Sequence, residues 1–474
     1  MAELILAVDV GTTTARAAVI DPGGVMLGMA ASTLTTFAPA PGLAEQDADG
    51  VWRRTLRLMR LALARSGRSA RDLAAIGLTT QRASAVAWSV KTGRAVSPLV
   101  LWSDLRGVTR AAQLQASGFL LSPQQPATKL EGILFEVGAA REPLAWGGVD
   151  SWLIWNLTGG AAHVTDRSQA WPTGYLGFAD LAWNDRLIAL QDLGGVEFPR
   201  LVDTWGSVGV ADRRLLGAAT PIAAGVADQQ AALIAHGECE ATTKITWGTS
   251  GTFDVLTRGP VFAGLPGMPP MVVSSAGGET RFCLEGMILS AGSALDWLRA
   301  AFAIGSPARL SALAGQVPDA GGVSFLPALQ GLGAPHAAPR RLGRLVGLSG
   351  ATTRSQIARS AFEGLAFRAR EILERADEAA GLATDRPVGI DGGVTRDRRF
   401  GQILADLLGR PVRPLATPEA TLMGAAILAA RGVGLAAESQ LRAAIGPVET
   451  FEPRLREDEA QTRFAAWREA VMTP

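Results

Sequence analysis

Lysine is almost missing from this chain of 474 residues: only Lys91, Lys129 and Lys244 occur, and the other 42 of its 45 basic residues are arginine. None of the three follows glycine, which excludes a G-x-x-x-x-G-K-[ST] phosphate loop. None sits in a V-A-I-K strand behind a glycine-rich loop, which excludes a protein-kinase fold. Two cysteines, Cys239 and Cys283, allow one bridge at most and fit a reducing compartment. Three histidines, at 163, 236 and 336, lie too far apart for a local zinc motif. Net charge is lacking too: 45 basic against 44 acidic residues leaves +1, so no global field selects nucleic acid or an anionic membrane. The long charge-free stretch 320–339 is broken by Gly and Pro and does not read as a transmembrane helix. Glu3 and Asp9 interrupt the apolar N-terminus without a preceding basic region, so no signal peptide is expected and the predicted location is cytoplasmic.

What the chain does have is hydrophobic mass, 48% of residues, enough for a sizeable core in two or three domains. Residues 3–10 and 15–21 alternate around a Gly-Thr turn and predict a β-hairpin, followed by a third strand near 25–33. A helix is predicted over 47–66, with Leu56, Met59 and Leu63 on its apolar face and Gly67 ending it, then a strand over 74–80. This α/β order differs from the repeated βαβ of a dinucleotide-binding sheet. The opening returns at 244–258: strand, Gly-Thr turn, strand. Gly11 and Gly248 stand 237 residues apart, half of 474. Strands are predicted at 270–276, 281–285 and 387–391, and helices at 290–303, 353–379, 397–408, 419–431 and 456–472. Two similar halves, 1–239 and 240–474, with a ligand cleft between them, are the expected organisation.

Three segments could carry chemistry. The first hairpin delivers Asp9 beside Gly11, Thr12, Thr13 and Thr14, with Arg16 nearby. Backbone N–H groups and hydroxyls of such a turn can cradle phosphate without lysine, and Asp9 could hold Mg²⁺ through water. The bland reading is a polar hairpin, and the echo at Gly248-Thr249-Ser250-Gly251 favours the functional one. In 221–235 an apolar strand runs into Asp228 at a helix start. Asp228 is there either an N-cap or a general base for a substrate hydroxyl, and the segment alone favours the cap. In 387–397 a strand enters Gly392-Gly393 before a helix, which suits close approach to a nucleotide or an ordinary tight turn.

Taken in order, AVDVGTTTARA (7–17), TTQRASAVAW (79–88), VLWSDLRG (100–107), DSWLIWNLTGGAAHVTD (150–166), GVADQQAAL (225–233), WGTSGTF (247–253), LEGMILSAGSALDWL (284–298), GLGAP (331–335) and DGGV (391–394) resemble the FGGY family of carbohydrate kinases, most of all its glycerol kinases. The resemblance spans about 4–435. It implies two actin-like, ribonuclease-H-like α/β domains, with MgATP and a polyol or sugar in the interdomain cleft. It implies Asp9 and Asp228 for Mg²⁺, Asp228 as catalytic base, and Arg82, Trp102, Asp104, Gln124 and Gln229 on the substrate side. For ATP it implies Gly11, Thr12, Thr13, Thr14, Arg16, Gly248, Thr249, Gly292, Asp296, Gly393 and Asp397.

Departures from glycerol kinases are Ala83 for a Glu beside the pocket Arg, and Gln124 for a Tyr. Asp296 stands for a Gln and Asp397 for an Asn. The expected activity is therefore ATP-dependent phosphorylation of a hydroxyl on a small polyol or sugar. A glycerol kinase proper or a xylulose- or ribulose-type ketose kinase is the alternative within the class, and an actin-like sugar sensor the alternative outside it. The sequence leaves the assembly open, a homodimer or homotetramer being within the expectation.

Overall fold

The computed structural model describes residues 3–138, 143–237, 242–262 and 265–473. The chain divides into two compact units: 1–235 with 272–280 and 419–445, and 236–271 with 281–418 and 446–474. A single cut near 240 therefore does not follow the packing. Two segments from the second half of the sequence group with the first unit. The tip 272–280 is held there by Thr204 N donating to Ser275 O (2.8 Å) and Gly277 N to Asp203 Oδ2 (3.1 Å). The segment 419–445 is drawn in by apolar packing, described below.

The first unit is built on a six-stranded sheet. Its strands are β1 (Leu4–Val10), β2 (Thr14–Ile20), β3 (Met26–Thr33), β4 (Leu73–Thr80), β5 (Trp205–Val210) and β6 (Pro221–Ala227). They run in the order β5-β6-β4-β1-β2-β3. The hairpin pairs are antiparallel, while β1, β4 and β6 are mutually parallel. Burial on both faces explains why β1 and β4 read as near-continuous apolar runs. Helix α1 (Ala48–Ser66) ends on Gly67 in the left-handed region, as expected. Its buried stripe is Val51, Thr55, Leu58, Met59 and Ala62; Leu56 lies at its margin.

Helix α2 (Asp228–His236) leaves β6 at Asp228. Where the sequence between 83 and 220 gave few element predictions, the structure places a three-stranded sheet, Val196–Glu197, Leu144–Gly147, Val86–Ser89, around an aromatic core of Trp146 and Tyr175.

In the second unit the sheet contains β7 (Thr243–Trp247), β8 (Gly251–Thr257), β9 (Glu279–Ile288), β10 (Val388–Asp391) and β11 (Val412–Pro414), ordered β9-β8-β7-β10-β11. Two antiparallel pairings followed by two parallel ones repeat the pattern β3-β2-β1-β4-β6 of the first unit. The half-length echo in the sequence is thus a duplicated sheet. Helices α3 (Gly292–Ala301), α4 (Arg354–Ala380), α5 (Arg398–Leu408), α6 (Ala420–Gly432) and α7 (Glu457–Met472) fall within about three residues of their predicted ends.

Of these, α6 belongs to the first unit and packs across β1, β4 and β6. Close approach is made possible by glycine: a Cβ on Gly77 of β4 would lie 2.3 Å from Ala425 O, and one on Gly424 would lie 1.9 Å from Ala231 O. Cys283 is buried in β9; Cys239 lies outside the described residues. Among the described residues, no helix is long and apolar enough to cross a membrane.

Candidate active site

Parallel strands in register bring their C-terminal ends to one edge. In the first unit Asp9 pairs with Thr79, and Val226 pairs with the same Thr79. Asp9, the Gln81-Arg82 pair and Asp228 therefore emerge side by side from β1, β4 and β6. The sequence carries them about 70 and 150 residues apart; the sheet makes them neighbours.

Asp9 is 3% exposed. Its Oδ2 accepts from Thr421 Oγ1 (2.8 Å) and from Arg16 NH1 (3.1 Å), and Arg16 also faces Glu419 at 3.4 Å. Burial pushes the Asp9 carboxyl up to about 6; the Thr421 bond opposes this, the nearby Asp228 charge adds to it, and Arg16 opposes it. Two carboxylates that repel each other at one sheet edge form a donor set suited to a hard dication that keeps most of its waters. Among the described residues, no group of three or more His, Cys, Asp or Glu offers a fuller metal site.

The turn after β1 is closed by Gly11 N donating to Thr14 O (3.0 Å). Thr13 presents its side chain to solvent, while Thr12 is tied inward by Trp102 Nε1 (3.0 Å) and Gln81 (2.9 Å). Arg82 donates to Gln230 Oε1 at 3.3 Å. Asp228 Oδ1 accepts from Gln229 N (2.8 Å), at the positive end of α2. Ala83 sits at φ +56°, a conformation that L side chains rarely adopt. Gln124 is exposed.

Asp104 departs from its expected place on the substrate side. It is fully buried, Oδ1 accepts from Arg106 N and Nε (both 2.9 Å), and Oδ2 accepts from Ala44 N (2.7 Å) and Arg106 NH2 (3.0 Å). Burial alone would raise its carboxyl, but these bonds outweigh it and hold the group below its ordinary value. Four donors fill its four acceptor positions. Asp104 anchors the loop that carries Trp102 and has no oxygen to offer a ligand.

The sequence reading missed a buried support beneath the site. Ser168 Oγ accepts from Ala227 N (2.9 Å) and donates to Asp166 Oδ1 (2.8 Å). Gln169 Nε2 reaches Thr80 O (3.1 Å), Thr80 Oγ1 (2.8 Å) and Val226 O (3.2 Å), clamping the ends of β4 and β6. The available signal was the Asp-x-Ser pattern at 166–168 ahead of a short helix, which the structure shows as an N-cap.

The second unit has its own glycine-lined sheet edge. Thr246 pairs with Asp391, so the turns after β7 and β10 are neighbours. Gly292 N at the start of α3 donates to Gly248 O (2.9 Å), and Ser293 N to Thr249 O (3.1 Å). Gly392 takes φ +95°, and a Cβ there would lie 2.4 Å from Trp247 O. Gly393 faces open space. Gly248, Thr249, Gly292 and Gly393 are thus brought together. Asp296 instead lies exposed on α3, paired with Arg299 (2.8 Å), and Asp397 caps α5 through Arg399 N (3.0 Å).

Comparison with known proteins agrees with this architecture. The model of the FGGY family of carbohydrate kinases, N-terminal domain, matches residues 4–235, and that of the C-terminal domain matches 243–433. The chain is 38% identical to a glycerol kinase of Alkalilimnicola ehrlichii (99% of this chain, 98% of the relative). It is 36% identical to a glycerol kinase of Thermus brockianus (98% and 97%). Among solved structures, Plasmodium falciparum glycerol kinase with ADP superposes with a TM-score of 0.91 at 22% identity (99% and 98%), a likeness of fold. Xylulose kinase from Rhodospirillum rubrum gives 0.85 at 25% (98% and 97%). The chain belongs to the FGGY family of carbohydrate kinases, phosphotransferases that act on an alcohol group, with that family's two-domain actin-like fold.

Proposed function

We propose that this kinase transfers the γ-phosphoryl group of ATP to a hydroxyl, a primary one, of a polyol or sugar longer than glycerol. Asp228 is the general base, Arg82, Trp102 and Gln229 hold the acceptor, and the Gly11–Thr14 turn with Arg16 receives phosphate oxygens. The observation that carries this reading is the register that sets Asp9, Arg82 and Asp228 on adjacent parallel strand ends. Asp228 at a helix start accepts the hydroxyl proton as the oxygen attacks phosphorus and ADP leaves. Asp9 and Asp228 would hold Mg²⁺, which supplies neutralisation of the phosphoryl charge when bound. On the second unit, Gly248, Thr249, Gly292 and Gly393 form the proposed nucleotide platform, and the open side of Gly393 supports it.

The choice of a longer acceptor rests on Ala83 and Gln124. A buried hydroxyl without a partner costs about 1–3 kcal/mol, and neither residue supplies the carboxylate or phenol that the resemblance leads one to expect. Glycerol itself is the second reading, favoured by the 35–38% identity to glycerol kinases. ADP release with glycerol, four- to six-carbon polyols and ketoses decides between them: kcat/KM is expected to be highest for a longer acceptor, and a tenfold preference for glycerol refutes that choice. Asp228→Asn is expected to lower kcat about 10²–10⁴-fold with nucleotide affinity retained; more than a tenth of wild-type turnover would remove Asp228 from the role of base.

A further inference from the structure

Gln81 lies behind the reacting groups and carries an imbalance. It is 2% exposed, and its backbone N–H extends the sheet ladder by donating to Val10 O (2.8 Å). Its Oε1 accepts from Thr12 Oγ1 (2.9 Å) and, at a long 3.4 Å, from Ser84 Oγ. Its Nε2 is buried with no hydrogen-bond partner among the described residues. A buried amide NH₂ left unpaired is costly, and its carbonyl end is meanwhile doubly engaged.

The hydroxyl of Thr12 explains how this could be resolved. It accepts from Trp102 Nε1 (3.0 Å) and has one proton, which it gives to Gln81. Thr12 lies in the turn proposed to receive phosphate. If a phosphate oxygen takes that proton, Gln81 Oε1 keeps only the weak Ser84 contact. Rotation about the soft terminal torsion of the glutamine then presents Nε2–H to Thr12 Oγ1, and the orphaned donor is paired.

Resting on the kinase reading above, we propose that Gln81 is a positioning residue coupling the phosphate turn to the acceptor loop. Its amide holds the Thr12 proton inward until phosphate claims it, then turns to donate, reversing its contact with Ser84 in the Arg82–Ser84 loop from acceptor to donor.

The test is a double-mutant cycle on the full chain, titrating Mg²⁺–AMP-PNP calorimetrically into wild type, Gln81→Met, Thr12→Val and the double variant. Methionine keeps the length of Gln81 and removes both the acceptor of the Thr12 proton and the donor that turns to replace it. Because the wild-type amide gains a pairing on phosphate binding, Gln81→Met is expected to bind AMP-PNP more weakly than wild type, though by less than Thr12→Val does. Thr12→Val is expected to cost at least threefold more affinity in wild type than in the Gln81→Met background. Equal costs within about twofold, the ordinary limit of additivity, overturn the proposal. So does a Gln81→Met variant that loses as much affinity as Thr12→Val, the outcome of a merely structural role. Should Gln81→Met lack a cooperative melt, Gln81→Asn, whose amide falls short of Thr12, goes through the same cycle with the same criteria. An additive cycle in a protein that turns over ATP refutes only the role of Gln81; a wild-type chain that binds no AMP-PNP refutes the kinase reading with it.

Discussion

Ser168→Ala removes one oxygen atom from beneath the proposed base. In the folded protein that oxygen takes the N–H of Ala227, the residue before Asp228, and gives its proton to Asp166. The site is fully buried, so water cannot replace it. The orphaned Ala227 N–H costs about 1–3 kcal/mol. Asp166 still accepts from Thr204 Oγ1 (2.8 Å), Gln169 N (3.0 Å) and Ser168 N (3.1 Å), so its own loss is the smaller part. Its carboxyl, already pushed up to about 6 by burial against these bonds, rises further. Together a destabilisation of about 2–4 kcal/mol is expected, readable by urea unfolding followed through tryptophan emission. The catalytic consequence is separate. With its clamp gone, Asp228 loses its fixed distance to the acceptor hydroxyl, and a misplacement of about 1 Å can cost about 10²-fold. Steady-state ADP release is therefore expected to show kcat reduced about 10- to 100-fold, with KM for MgATP little changed. A variant destabilised as calculated but with kcat within threefold of wild type would refute the reasoning, because Asp228 would then be placed by something other than Ser168.

Three further outcomes are expected. Burial raises the Asp150 carboxyl to about 7, with a Thr165 bond opposing and the Asp166 charge adding, so its neutral form favours folding fully below about pH 4 and that contribution is lost as pH rises through about 7. From pH 5 to pH 8 wild type should therefore lose about 2–3 kcal/mol more stability than Asp150→Asn, and parallel urea profiles would contradict this. A Cβ added at Gly393 would meet nothing within 4 Å beyond its chain neighbours, so Gly393→Val is expected to fold normally while weakening AMP-PNP binding, whereas Gly392→Ala should lower the melting temperature through its clash with Trp247 O; unchanged nucleotide affinity in Gly393→Val removes that turn from the nucleotide platform.

What the sequence made legible was what local patterns encode. The first hairpin, α1 with its Gly67 stop, and the strand-to-helix turn at Asp228 follow from alternation, capping and glycine placement. The duplicated sheet showed because β7 and β8 repeat the Gly-Thr turn of β1 and β2. Asp104 was misread because its spacing after Trp102 says nothing of Ala44, sixty residues earlier, whose N–H takes one of its oxygens. Ser168 and Gln169 were missed for the same reason: their partners are strand ends 59 and 89 residues away, and a polar side chain in a short helix carries no mark of that. Likewise α6 was found as a helix but placed in the wrong half, since its apolar face fits either sheet by pattern alone.

That placement of α6 bears on how the protein is made. Thr421, which hydrogen-bonds Asp9, stands 412 residues downstream of it. At about 5–20 residues per second of synthesis, roughly 20–80 seconds separate the emergence of β1 from that of the helix that covers it. From the emergence of β6, about midway through that interval, the apolar face formed by β1, β4 and β6 has left the ribosome without its cover. Until 419–445 has been made, that face stays open and the edge around Asp9 lacks its Thr421 contact. Vectorial synthesis makes the arrival of 419–445 the step that completes the packing of the first unit.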